Sequence, residues 1–358
     1  MHAKGTLEQV VESAIARNFT TYGLSEHMPR YKPEQLYPEE SHLTIQDLEK
    51  MYDEFLLEAS RLQSKFKSQI CLLIGLETEY FDQQSIDLVR ALRQPNRAIP
   101  ASIPPSSVWT KVSDVKAQLP QVQYIVGSMH HIRGIPLDFS AELYLHALQV
   151  VGQGSWEKLF EVYFDTQYEM LQGLQPEVVG HLDLVRIFFS SIKSSHHDHH
   201  HHHHHQNGQS TEQESGKQIQ NGGNRLTDSL WALVKRNVDY VISYGGLFEL
   251  NSRAWKKGLA DAYPQRDILE YILSKGGRVT LSDDSHGPDD VGMFYNPELK
   301  EYLERMNVEK VYYLAPNSGD LDEAQITTDE TYKTNARPET SSFQHVHVRS
   351  IPTQTLRF

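Results

Sequence analysis

An α/β fold built on a parallel sheet is predicted by two observations. Short apolar runs of strand composition alternate with helix-patterned segments along the chain, which implies crossover connections between parallel strands. Five of those runs lead into residues of metal-ligand type: Ser25-Glu26-His27, Gly75-Leu76-Glu77, Gly127-Ser128-Met129-His130-His131, Gly180-His181-Leu182-Asp183 and Ser282-Asp283-Asp284-Ser285-His286. Repeated crossovers of one hand tend to close a barrel, whose functional residues gather at the C-terminal strand ends. A polynuclear metal centre is therefore expected there. With 358 residues and 39% hydrophobic content, the chain can bury one large core.

The elements follow in order. Thr6 and Gln9 have capping-box spacing ahead of a stripe of Leu7, Val10, Val11, Ala14 and Ile15, so the first element is a helix. Residues 20–25 read as a short strand. Thr44 caps a long helix with Ile45, Leu48, Leu56, Ala59, Leu62 and Phe66 at roughly helical spacing. Residues 70–77 form the next strand, and the Pro and Ser of 94–115 mark a loop or irregular insertion before a strand at 122–128. Helices at 140–150 and 155–172 lead to a strand at Val178-Val179. Later strands fall at 246–250, 278–281 and 310–314, with helices at 264–275 and 297–306.

Residues 1–315 are thus expected to form one barrel domain, interrupted at 194–225 by a Ser-, His-, Gln-, Asn- and Gly-rich insertion too polar to fold. Its nine histidines between His196 and His205 read as natural low complexity that binds Zn²⁺ or Ni²⁺ loosely, outside the site. Residues 316–358 read as a loosely ordered tail, in which 343–351 could add an edge strand.

Composition removes several function classes. A formal charge of −13 without clustered Lys and Arg argues against a nucleic-acid groove. No apolar run reaches the roughly 20 residues that cross a bilayer, so a soluble protein with no membrane partner is expected. The N-terminus lacks a signal peptide's apolar core, and Glu8 and Glu12 weigh against a transit helix. The one cysteine, Cys71, lies in an apolar run and reads as a small buried hydrophobe. It excludes an intramolecular disulfide, which fits a reducing, cytoplasmic compartment.

Within the motifs, His27 would leave a strand where it can reach a metal, against the plain alternative of a surface histidine. Glu77 ends an apolar strand, where its two oxygens could bridge two ions. Glu79, two residues on, could share the site, although a rim acid is the plainer reading. His130 and His131 are adjacent and should face opposite ways, one as a ligand and the other as a supporting or substrate group. Asp284 and His286 share a face on an extended chain and suit a paired metal contact, while Asp283 points away into a structural role. His181 is assigned to metal, with Asp183 as the carboxylate that orients it.

Together these motifs resemble the PHP (polymerase and histidinol phosphatase) superfamily, and within it the histidinol-phosphatase branch of fungi and many bacteria. The resemblance extends through Met28-Pro29-Arg30, Ile135-Pro136-Leu137-Asp138-Phe139, Leu184-Val185-Arg186, Glu249-Leu250-Asn251 and Tyr263-Pro264. It covers residues 2 to about 315 outside the insertion. It implies a distorted (β/α)7-type barrel holding two or three divalent ions. The reaction implied is hydrolysis of L-histidinol phosphate to L-histidinol and phosphate, in L-histidine biosynthesis.

Two departures from the family pattern stand out. Family members open with a strand carrying His-x-His, followed later by a His-Ala or His-Gly step; here His2-Ala3 matches the later step. By position His2 would be a metal ligand, and the barrel is expected to lack its first strand and to expose an open edge. A sequence begun at the wrong methionine or exon, or a catalytically impaired metal-binding relative, would account for this. His345-x-His347 repeats the spacing without an anchored strand to hold it. In the second departure, the family's phosphate-binding arginine falls on Lys256, which keeps the charge and loses the planar fork. Arg253 could compensate, and Arg186 keeps its family position as the leading phosphate ligand.

The expected mechanism is metal-assisted attack of water on a phosphate monoester. His27, Glu77, His130, His181, Asp284 and His286, with His2, would hold the ions, and the mixed nitrogen and oxygen set suits Zn²⁺, Mn²⁺ or Fe²⁺. Arg186, Lys256 and Arg253 would grip phosphate, Asp138 the substrate ammonium, and His131 would protonate the leaving alkoxide. A related phosphoesterase acting on another monoester is the rival reading.

Overall fold

Strand β1 (Thr21–His27) runs parallel to β2 (Cys71–Glu77) with His27 directly opposite Glu77, so two of the expected ligands leave the sheet side by side. The computed structural model describes residues 3–94, 103, 119–189, 226–316 and 345–356. His2, most of the 94–115 segment, the 194–225 insertion and most of the 316–358 tail lie outside the described residues.

The first helix, α1 (Leu7–Ala16), is opened by the expected capping box: Gln9 N donates to the Thr6 hydroxyl and Thr6 N to the Gln9 side chain. Helix α2 (Ile45–Phe66) follows β1, capped by Thr44, and buries Leu48, Tyr52, Leu56, Ala59 and Leu62 on one face. After β2 comes α3 (Gln83–Arg93), which the sequence reading did not anticipate, and then β3 (Tyr124–Gly127). A hairpin of β4 (His131–Ile132) and β5 (Ile135–Pro136) turns on Arg133 and Gly134, with φ of 48° and 79°. Two positive φ values in a two-residue loop match the right-handed twist of the hairpin and fix where His131 points.

Helices α4 (Ala141–Val150) and α5 (Trp156–Leu174) precede β6 (Val178–Val179). Helix α6 (Asp228–Tyr244), also unanticipated, leads to β7 (Leu247–Asn251), a short α7 (Arg253–Lys256), α8 (Arg266–Ser274) and β8 (Arg278–Ser282). Helix α9 (Pro297–Arg305) and β9 (Lys310–Pro316) follow. The expected edge strand near the end is β10 (Val346–Pro352), antiparallel to β9.

The six-stranded sheet has the order β1-β2-β3-β6-β7-β8, and every pair is parallel. Its curvature is visible in the packing. Leu73 of β2, Tyr124 and Val126 of β3, Val178 of β6 and Leu247 of β7 share one inner cluster with Leu314 of β9 and Val346 of β10. Alternate residues Leu72, Ile74 and Leu76 face the helices in the other, larger cluster. Both faces of the sheet are therefore buried, the outer by the crossover helices and the inner by its own strands with β9 and β10.

Gly23 and Gly75 are required by that interior. A Cβ on either would stand 2.4 or 2.3 Å from the Tyr124 side chain, which lies across both strands. Among the described residues no ladder joins β1 to β8, and a cavity of about 1470 Å³ opens between them, lined in part by Tyr22, Glu26, Leu281 and Tyr312. No described helix is long and apolar enough to cross a membrane.

Candidate metal centre

Strand pleat decides which side chains reach the C-terminal mouth of the sheet. Leu73, Gly75 and Glu77 lie on one face of β2, so the strand that fills the interior with Leu73 delivers Glu77 at its end. In the same way Tyr124 and Val126 on β3 lead, two residues at a time, to Ser128 and His130. His181 follows β6 immediately after Gly180, a position where a Cβ would stand 2.1 Å from the Ser128 hydroxyl.

Three of the expected ligands form a tripod. His130 Nε2 lies 3.1 Å from His181 Nε2, and Glu77 Oε1 lies 3.4 Å from the first and 3.3 Å from the second. An ion with tetrahedral bonds of about 2.0–2.1 Å separates its ligand atoms by roughly 3.4 Å, so the three edges match one face of such a site. A second group of candidate ligand atoms, from His27, Glu79 and His130, adjoins it. Glu77, His130 and His181 bring a carboxylate oxygen and two imidazole nitrogens together at the mouth, and a bound cation would offset the cost of crowding these lone pairs. The donor set therefore fits divalent ions.

The electrostatics agree. Burial pushes the Glu77 and Glu79 carboxyls up, but the surrounding histidines, with Arg30 at Glu79, hold both well below the usual range. Burial likewise opposes charge on His130, yet Glu79 and Glu77 raise it well above the ordinary imidazole value, and they raise His27 as well. His181 is raised against burial mainly by Glu77. A cage of this kind holds protons where an ion would sit.

Other expected residues fall into different places. His27 stays near the cage, with Nε2 4.0 Å from Glu77 Oε2. Asp284 and His286 are not on an extended chain: β8 ends at Ser282 and Asp284 has φ 48°. The turn brings His286 Nδ1 to 2.8 Å from the Asp284 carbonyl and 3.5 Å from its Oδ1, and neither residue joins the tripod's ligand group. They connect to it through Asn251, whose amide donates to Glu249 Oε2 at 3.1 Å and to Asp284 Oδ2 at 3.2 Å. Asp283 points away as expected, accepting from the Tyr22 hydroxyl at 3.1 Å and the Gly292 amide at 2.6 Å.

Asp183 does not orient His181. Its Oδ2 accepts from Arg186 Nε at 2.7 Å and from Gln265 N at 2.8 Å, so it fixes the guanidinium instead. Burial pushes the Asp183 carboxyl up in spite of Arg186. Arg186 also donates from Nη2 to the Ala262 carbonyl and lies over the Tyr263 ring. The polar neighbour of His181 is Glu249, which accepts its backbone N–H at 2.6 Å.

Arg253 Nη1 donates to the Asp284 carbonyl at 3.0 Å and to Asp290 Oδ2 at 3.1 Å, while Lys256 pairs with the other Asp290 oxygen. Asp138 is near enough to raise the phenols of Tyr37, Tyr163 and Tyr263, although burial is the larger cause in each. His131 is buried between the Tyr37 and Phe81 rings, at 4.8 and 4.7 Å.

Glu79 is the clearest correction. It is fully buried rather than on the rim, because Arg30, His27, His130 and His131 close around it. Its i, i+2 spacing from Glu77 pointed to a place in the site, but the groups that bury it come from other elements. Glu249 and Asn251 were equally readable as alternate residues of one strand ending at the site.

The PHP domain model matches residues 1–253. A Schizosaccharomyces pombe protein named "Probable histidinol-phosphatase" is 38% identical over 308 residues, 86% of this chain and 83% of its own length. The Saccharomyces cerevisiae "Histidinol-phosphatase" is 28% identical over 332 residues, 87% of this chain and 88% of its own. Among solved structures, the fold is similar to histidinol phosphate phosphatase from Lactococcus lactis complexed with Zn, L-histidinol and phosphate. That likeness has a TM-score of 0.51 at 17% identity, covering 85% of this chain and 88% of the other.

Proposed function

The chain belongs to the PHP domain family, and on that premise we propose that it is a histidinol-phosphatase, hydrolysing L-histidinol phosphate to L-histidinol and phosphate. The observation that carries the reading is the tripod of Glu77, His130 and His181, whose edges of 3.1–3.4 Å suit one divalent ion. Support for the substrate comes from the names of the yeast relatives and from the ligands of the Lactococcus lactis complex.

We assign Glu77, His130 and His181 to one ion and His27, Asp284 and His286, with His2, to one or two more, drawn from Zn²⁺, Mn²⁺ and Fe²⁺. Bound ions of this class acidify water and offset charge on a transferring phosphoryl group. The rest falls to the chain itself. Arg186, held rigid by Asp183 and Tyr263, presents its charge to the phosphate, and Arg253 and Lys256 add charge from the side braced by Asp290. His131 passes a proton to the departing alkoxide oxygen, and Asp138 pairs with the substrate ammonium. The apolar rings of Tyr37 and Phe81 around His131 keep water from competing for that proton.

Phosphate release from L-histidinol phosphate and a panel of other monoesters, with added Mn²⁺ or Zn²⁺, tests the assignment. A preference for L-histidinol phosphate is expected. Faster release from another monoester would move the chain to a different phosphoesterase role, and no release from the ion-loaded protein would remove the enzyme reading.

A further inference from the structure

We propose that Glu79 is the positioning residue of the metal cage: one buried carboxylate that sets the tautomer of the histidines whose Nε2 atoms face the ions. The inference rests on the cage assigned above and concerns how its ligands are held.

Glu79 lies two residues beyond the end of β2 and has no exposed surface. Its Oε1 is 2.7 Å from His27 Nδ1, and its Oε2 is 3.3 Å from His130 Nδ1 and 3.2 Å from His131 Nδ1. Arg30 Nη2, itself buried, stands 3.6 Å from Oε1.

The two nitrogens of His130 have different neighbours. Nδ1 faces Glu79, and Nε2 faces Glu77 and His181 in the tripod. His27 repeats the arrangement, with Nδ1 on Glu79 and Nε2 toward Glu77 at 4.0 Å. A carboxylate accepts and cannot donate, so a neutral imidazole beside it carries its proton on Nδ1 and leaves the Nε2 lone pair for an ion. One anion thus prepares two inward-facing nitrogens, one at the end of β1 and one just beyond β3.

A ligand role shared with His130 would require that histidine to serve two ions through both nitrogens, or to turn Nε2 out of the tripod. The Arg30 contact also fits an anion balanced by protein charge. Arg30 is tied to Glu40 at 3.2 Å and lies over the Tyr37 ring, so the counter-charge is itself fixed.

The test compares the full-length chain with Glu79→Gln and Glu79→Ala by titration with Mn²⁺ alone. Carboxylate-rich sites hold this ion better than a tract made almost wholly of histidines does. Loss of an outer partner of a metal-bound histidine weakens binding by about 10–100-fold. We expect the number of tightly held ions to stay the same, with affinity reduced toward 10-fold in Glu79→Gln and toward 100-fold in Glu79→Ala. The Zn²⁺-loaded, ¹⁵N-histidine-labelled wild-type chain should show His130 protonated at Nδ1, and Glu79→Ala should lose that single tautomer. Should Glu79→Ala not fold, the nearly isosteric Gln variant decides. Loss of a whole bound ion in Glu79→Gln would make Glu79 a ligand and overturn the proposal, as would unchanged affinity and tautomer in the variants. A wild-type chain that binds no ion would remove the cage, and the proposal with it.

Discussion

His130 shows why the centre depends on single atoms: one ring nitrogen meets Glu77 and His181, and the other meets Glu79. Removing His181 deletes one corner of the tripod, so His181→Ala should weaken ion binding by more than the roughly 100-fold that marks the loss of an outer partner. Chelator competition measures this. Asp183 belongs to a different network. Its removal strands the buried Arg186 charge, and Asp183→Ala should cost about 3–5 kcal/mol in urea unfolding. Asp183→Asn keeps an acceptor for Arg186 and Gln265 and should cost less.

The titrating groups of the cage give a signed pH dependence. His27, His130 and His181 are raised above 6.5, so in the ion-free protein their stabilising contribution is full below that value and is lost as pH climbs through the folded values. Glu77 and Glu79 are depressed below 4.5, so theirs is present above that value and is lost on acidification. The ion-free cage keeps both between 4.5 and 6.5. Ions need neutral imidazoles and displace those protons. The rise in Tm on adding Zn²⁺ or Mn²⁺ should therefore grow between about pH 6 and about pH 8. An equal rise at both would contradict the protonated cage.

At the scale of elements, β2 and β3 carry both the core and the site. Gly75 on β2 makes room for Tyr124 on β3, and Gly75→Ala would place Cβ 2.3 Å from its ring. Overpacking of this kind costs about 1–3 kcal/mol, and Tyr124→Leu in the same chain should recover part of it in a double-mutant cycle. Periodicity made α1, α2 and most strands readable, because Thr6 and Thr44 caps stand ahead of clear apolar stripes. Helix α3 was missed, though Asp82 caps it and Ile86, Val89 and Leu92 recur at helical spacing, as was α6 behind Thr227. The tripod was legible because each ligand lies at or within three residues of a strand's C-terminal end. Burial of Glu79 was not, since Arg30 and three histidines from other elements create it, and neither was the contact of Asp183 with Gln265, 82 positions away.

For the whole molecule, the parallel sheet gathers residues distant in sequence at one mouth, and among the described residues no ladder closes the β1–β8 seam beside it. The alternation of strands and helices was enough to foresee the first feature, and the second agrees with the expected open edge. The family match, the tripod and the yeast relatives converge on metal-dependent phosphate-ester hydrolysis. Anomalous diffraction from crystals of the Zn²⁺-loaded chain tests that account most directly. It predicts a peak about 2 Å from each of Glu77 Oε1, His130 Nε2 and His181 Nε2. Zinc peaks found only elsewhere, with the tripod empty, would contradict it.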